Sequence, residues 1–216
     1  GRLRARDSDA YLMTENCGDI YSPYVWGNLA WNGTDYDEYY HLYRYTFPEF
    51  VQVNMCNDRS WVENEDEKEL LFYSDIERCV LMGNILWIGI TSKYHEKPEN
   101  KEHFDYVIAA ADFRKSIAEQ VSLGVYLDDE FVNTIDEPLK ASCFAISDNE
   151  ALLLVGDCHK AGGKVSFRLP FCVRSAVASD EYGNPAKVSL ENDFVGIAMD
   201  GVRLVKIIVR GLKGNR

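Results

Sequence analysis

Three carboxylates stand where the chain passes from an apolar, strand-like run into loop. Glu15 closes the run Ala10-Tyr11-Leu12-Met13-Thr14, Asp19 lies four positions later, and Asp58 follows the run "FVQVN" from Phe50 to Asn54. Asn54 itself and Thr91, the last residue of "NILWIGIT", occupy comparable strand-end positions. Carboxyl groups at such points suit proton transfer, and two of them in different surroundings divide into an acid and a base. The segment after Glu15 is rich in flat rings, including Tyr21, Tyr24, Trp26 and Trp31. Eight of the 13 Tyr and three of the 4 Trp fall within residues 1–61, so the rings cluster around these carboxylates. Tyr and Trp offer an apolar face and a hydrogen-bonding edge, a combination that suits a ligand with C–H faces and a hydroxyl rim. Two plainer readings stand beside this one. Glu15 caps a loop or pairs with Arg44, and "DEYYHLYRY" is an amphipathic helix covering a sheet.

Other chemistries find less support. Asp35, Asp37 and Glu38 in "NGTDYDE" lack the ligand spacing of a calcium loop. "AGGKVS" has no leading glycine of a phosphate loop and sits in a strand pattern. His41, His95, His103 and His159 show no ligand spacing, so surface or structural roles suit them better than metal binding. Asn32-Gly33-Thr34 is a glycosylation sequon, meaningful only in a secreted eukaryotic protein. The six cysteines, Cys17, Cys56, Cys79, Cys143, Cys158 and Cys172, are scattered and form no C-x-x-C pair. They read as buried free thiols, which favours a cytoplasmic setting, with a secreted parent protein as the alternative.

Two rhythms divide the chain. Through residue 123, apolar runs alternate with helical patterns: "AYLMTE", "FVQVN" and "NILWIGIT" as strands, "ENEDEKELLFYSDIERCVLMG" and "KEHFDYVIAAADFRKSIAEQV" as helices. Asp66, Glu67 and Glu69 suit the start of the first helix and Gly83 its stop. In the second helix Phe104, Val107, Ile108, Ala111, Ile117, Ala118 and Val121 fall near one stripe. Such alternation predicts a parallel sheet of three strands covered by helices. From Gly124 short strands follow one another with turns between: a hairpin "KASCFAIS"/"ALLLVGD", then "KVSFRLP", "EYGNPAKVSL", and a second hairpin about Asp200-Gly201. This half predicts a small antiparallel β-sandwich. The expected fold is α/β plus all-β: residues 1–123 as the last β/α units of a TIM-type barrel, residues 124–216 as the sandwich, with a compact α/β unit packed on the sandwich as the alternative. In a barrel, chemistry sits at the carboxyl ends of the strands, where Glu15, Asp19, Asn54 and Asp58 stand.

Composition excludes some partners. A formal charge of −12, from 23 basic and 35 acidic side chains, disfavours nucleic acid, whose phosphates demand clustered Lys and Arg. No apolar run approaches the ~20 residues of a membrane span. The opening "GRLRARDSDAY" carries neither an initiator Met nor an apolar signal segment, and reads as a piece of a longer protein.

The order "LMTENCGDIY", "YRYTFPEFVQVN", "GNILWIGIT", "ADFRKSIAEQ", "GVYLDDEF" and a terminal run of strands resembles the C-terminal portion of a barrel glycoside hydrolase. It is similar to a group of glycosidase-like bacterial proteins in which a (β/α)8 barrel precedes a small β-sandwich. Glu15, Gly18 and Asp19 match that group's strand-end element, and Phe47, Pro48, Glu49 and Phe50 its Pro-containing aromatic lead-in. The resemblance implies a carbohydrate substrate, no cofactor, Glu15 as catalytic acid/base and Asp19 as a residue shaping the site. It also implies that the front of the same barrel lies outside this chain. Asp58 is the best second carboxylate within it. The alternative is a non-catalytic carbohydrate-binding or structural module.

Overall fold

The computed structural model describes residues 5–6, 13–15, 27–31, 42–46, 51–57, 59, 62–89 and 98–212. The first half contains a parallel sheet of four strands in chain order, β1 (Met13–Glu15), β2 (Gly27–Trp31), β3 (Val51–Asn57) and β4 (Ile85–Gly89). Sequence patterning misses β2. "GNLAW" carries Gly and Asn, both poor strand formers, and is too short to show alternation; pairing to β1 and β3 on either side makes it a strand.

Helix α1 (Leu42–Thr46) takes up the described end of "DEYYHLYRY", and residues 37–41 lie outside the described residues. Helix α2 (Glu65–Leu81) follows β3, as the acidic start predicts. Asn64 caps it by accepting from Glu67 N at 3.1 Å. At its end Gly83 takes φ +67°, with Gly83 N donating to Val80 O and Asn84 N to Cys79 O, the Schellman arrangement. Helix α3 (Lys101–Ser116) and helix α4 (Ala118–Leu123) break at Ile117. Their buried residues are Tyr106, Val107, Ala109, Ala110, Phe113, Ile117 and Val121. The expected stripe is therefore rotated: Phe104 is only half-buried, Ala111 is exposed, and Ile108 is 49% exposed. A second apolar layer beyond the helix selects this face, and it lies outside the reach of the helix's own periodicity.

That layer is the second half. One antiparallel sheet has the order β10-β13-β8-β7-β5, from β5 (Val125–Tyr126), β7 (Lys140–Ser147), β8 (Glu150–Gly156), β10 (Val173–Asp180) and β13 (Leu204–Gly211). The other has the order β11-β12-β9-β6, from β6 (Val132–Ile135), β9 (Gly163–Arg168), β11 (Val188–Glu191) and β12 (Phe194–Met199). The β7/β8 hairpin forms as expected. The Asp200-Gly201 turn is real, with Gly201 at φ +69°, but it joins no hairpin. Both edges of β12 are taken by β9 and β11, so the chain crosses there to the other sheet and β13 pairs β8 and β10.

Two apolar clusters hold these layers. Phe72, Ile76, Cys79, Val80, Phe113 and Ile117 from the helices meet Phe144, Leu152, Leu154 and Leu204 of the five-stranded sheet. Leu153, Val155, Val165, Phe167, Val195 and Ile207 fill the space between the two antiparallel sheets. β8 thus lies between both clusters, which explains why "ALLLV" is apolar without alternation. Among the described cysteines, Cys56, Cys79, Cys143 and Cys158 are buried free thiols and Cys172 is exposed. No helix of the described residues is long and apolar enough to cross a membrane.

Three buried carboxylates satisfy backbone donors, one from a helix and two within the sheet half. Glu77 of α2 accepts from Cys158 N at 2.9 Å, directly under Gly156, where a Cβ would come within 2.5 Å of its Oε1. Burial pushes the Glu77 carboxyl up to about 7. Asp157 accepts from Ala161 N and Gly162 N at 3.1 and 2.8 Å. Glu181 accepts from Arg203 N and Leu204 N at 2.9 and 3.1 Å, while the Arg203 guanidinium lies 3.6 Å over the Tyr73 ring.

Candidate functional site

Parallel pairing sorts the first sheet into rows. Glu15, the last residue of β1, is in register with Leu29; Leu29 pairs with Val53, and Val53 with Ile85. Two residues toward the carboxyl end, Trp31, Met55 and Trp87 form the next row, and Asn57 pairs with Gly89 beyond it. Alternate rows face opposite ways. Cys56, Leu86 and Ile88 pack into the helix-side cluster, whereas Ile85 and Trp87, on the other face, are each 48% exposed. The backbone register puts Glu15 in line with Ile85 and Trp31 in line with Trp87.

Past β3 the chain is anchored firmly. Arg59 N donates to Asn57 Oδ1 at 3.1 Å, closing a tight turn in which Arg59 takes φ +50°. The fully buried Arg59 guanidinium donates from Nε and Nη2 to Asp75 Oδ2 of α2 at 2.9 and 2.5 Å. A buried, charge-assisted fork of this kind fixes a turn strongly, because removing either partner strands the other charge. Beside it, a hydrogen bond with Cys79 and burial push the Cys56 thiol up, which keeps it protonated and unreactive. At the opposite end of the sheet Arg114 donates to Asn84 O and Gly83 O at 2.8 and 2.6 Å, tying α3 to the entry of β4.

The expected site residues distribute unevenly over this frame. Glu15 and Trp31 end β1 and β2. Asp19, Tyr21, Tyr24, Trp26, Asp58 and Thr91 lie outside the described residues, as do Asp35, Asp37 and Glu38. Asn54 is a correction. From sequence it ends its strand, but β3 runs on to Asn57, and Asn54 shares a row with Leu86 on the helix side. It is buried there, its Oδ1 accepting from Asn84 Nδ2 at 2.9 Å, so it serves the packing of β4. Arg44, the alternative partner for Glu15, is buried and donates to Val121 O at 3.4 Å. Sequence reasoning missed the Arg59–Asp75 anchor. Its signal was an Arg directly after Asp58 and an acid on the inner face of the next helix, and only the fold brings the two together. Among the described residues no group of three His, Cys, Asp or Glu is placed to hold a metal ion.

No family model and no curated protein matches the sequence. Solved structures do share the fold. An α-amylase from Anoxybacillus superposes with a TM-score of 0.58 at 12% identity, over 98% of this chain and 54% of its own. The α-amylase GTA of Geobacillus thermoleovorans, solved with acarbose, gives 0.59 at 13% over 97% and 55%. The α-amylase from H. orenii gives 0.57 at 7% over 93% and 53%. The chain thus spans about half the length of the structures it matches. At such identities the likeness is one of fold: a mixed α/β arrangement with antiparallel sheets, related to that of glycoside hydrolases.

Proposed function

We propose that this chain is the C-terminal part of a glycoside hydrolase that cleaves O-glycosidic bonds in oligo- or polysaccharides. Residues 1–123 form the last β/α units of its (β/α)8 barrel and residues 124–216 its terminal β-sandwich. One observation carries the reading. Among the described residues the helices pack against β3 and β4 on one face of the four-stranded parallel sheet, and the other face leaves Ile85 and Trp87 half-exposed, in rows that the register shares with Glu15 and Trp31. A sheet of this kind is complete only when further strands close around that face. The match to about half of each α-amylase supports the same reading.

In this proposal Glu15 is the general acid/base and Asp58, just before the Arg59–Asp75 anchor in sequence, its partner carboxylate, with Asp19 shaping the pocket. Hydrolysis proceeds through an oxocarbenium-like transition state: one carboxyl protonates the leaving oxygen while the other supports the anomeric carbon or activates water. Tyr21, Tyr24, Trp26 and Trp31 supply stacking faces for the sugar rings. No cofactor takes part.

The test uses the longer protein that includes the remaining strands. Glu15→Gln lowers turnover of an activated aryl glycoside by at least about 100-fold, as expected for loss of an acid/base, and leaves the melting temperature unchanged. Near-normal turnover would remove Glu15 from catalysis. Glycan binding with no hydrolysis by the wild-type protein would make this a binding module.

A further inference from the structure

Ile108, expected in the core, instead lines a groove of about 510 Å³ between α3 and the turn after β10. Asp105, Ile108, Ala109, Asp112, Phe113 and Ser116, spaced as one face of α3, form one wall. Asp180, Glu181, Tyr182 and Gly183, with Lys206 of β13, form the other. Its volume falls within the range of small-ligand sites.

The turn that carries Tyr182 is held from several sides. Asp180 Oδ1 accepts from Tyr182 N and Asn184 N at 2.9 and 2.8 Å, and Asp180 Oδ2 from Asn184 Nδ2 at 3.0 Å. Glu181 is buried and tied to the backbone of β13 and the residue before it. Gly183, at φ +81°, has nothing within 4 Å of where a Cβ would stand. Tyr182 is thereby fixed with 56% of its surface exposed beside open space. A preordered, unobstructed ring lowers the entropy lost when a flat ligand settles on it.

Charge narrows the ligand. Asp105, Asp112, Asp180 and Glu181 outnumber the single Lys206, which disfavours phosphates, carboxylates and anionic lipid. Asp180 spends its oxygens on the turn and Glu181 on the backbone at the start of β13, and Asp105 is paired with Lys101. Asp112, exposed two turns further along α3, has no ion-pair partner among the described residues. Opposite, the Lys206 ammonium lies 5.6 Å from the Phe113 ring centroid and donates to Ser116 Oγ at 2.5 Å; partial burial lowers its pKa. Charged acceptors beside an exposed ring and one donor suit a neutral molecule rich in hydroxyls with an apolar face.

We propose that this groove is a second carbohydrate-binding site, in which Tyr182 stacks on a sugar ring and Asp112 and Lys206 hydrogen-bond its hydroxyls. It rests on the glycosidase reading for its choice of ligand, but on different residues. It would hold a glycan chain where α3 meets the turn after β10, on residues other than Glu15 and Trp31.

The experiment is calorimetric titration of the 216-residue chain with maltoheptaose, cellohexaose and xylohexaose. Tyr182→Ala is expected to weaken binding of the preferred probe about tenfold or more, and Asp112→Asn and Ile108→Glu to weaken it too. All three positions are exposed, so melting temperatures should hold. Glu15→Gln should leave this binding intact while abolishing hydrolysis in the longer protein. Binding lost with Glu15→Gln or Trp31→Ala but not with Tyr182→Ala overturns the groove and keeps the glycosidase. No binding of any probe to the wild-type chain overturns the groove, and the hydrolysis assay judges the glycosidase separately. Tyr182-dependent binding of oligolysine in place of all three glycans also overturns it, making the groove a basic-peptide site.

Discussion

Glu77 shows how one side chain sets a pH limit on stability. In the unfolded chain its carboxyl titrates near 4.5, and in the folded chain at about 7. The folded protein therefore holds an extra proton between those values, and stability falls as pH rises through that window, by roughly 3 kcal/mol in all. Glu77→Gln keeps an acceptor for Cys158 N and has no charge to bury. Urea unfolding should thus find this variant close to wild type near pH 5 and more stable than wild type near pH 8; equal slopes with pH would remove Glu77 as the cause. The Arg59–Asp75 pair behaves in the opposite sense. Asp75→Asn takes the negative charge from beside the buried guanidinium and is expected to cost roughly 3–5 kcal/mol, measured by chemical denaturation. A loss below about 1 kcal/mol, the worth of a surface pair, would show that water reaches it.

Elements with strong local signals were legible in the sequence: α2 between Asn64 and Gly83, β7 and β8 around their turn, β3 and β4 as apolar runs. Gly83 is the sharpest of these. Its φ of +67° is strained for other residues, and a Cβ there would lie 2.9 Å from Phe144 Cζ. Gly83→Ala should destabilise by roughly 1–3 kcal/mol in a thermal or urea melt; an unchanged midpoint would mean that the helix end reshapes freely. What sequence did not reveal depends on contacts between distant segments. β2 is a strand only because two neighbours pair with it, and α3 buries Tyr106 and Phe113 rather than Ile108 because the five-stranded sheet lies against it. The Asp200-Gly201 signal correctly predicted a turn, yet the partner of β13 is decided by which edges remain open. At the candidate site, the strand-end position of Glu15 was readable from the change of pattern, whereas the true end of β3 at Asn57 and the Arg59 anchor were not.

At the scale of the whole molecule, the half-exposed Ile85 and Trp87 separate two states of one surface. In this chain alone, replacing both with Thr should reduce self-association in sedimentation while leaving the melting temperature nearly unchanged. In the longer barrel proposed above the same pair should cost several kcal/mol, about 3–5, because in that proposal it fills a core. Equal effects in both contexts would argue against further strands on that face. The helix-side cluster has a different consequence. Phe144, Leu152, Leu154 and Leu204 are covered by residues of α2, α3 and α4, so the change of rhythm at residue 123 is no place to cut. The strands from Val125 onward, grafted onto another protein, would arrive with one face bare and greasy. A transplantable cassette begins ahead of Asn64 and brings its helices along, so recombination within this architecture is confined to the loops before α2.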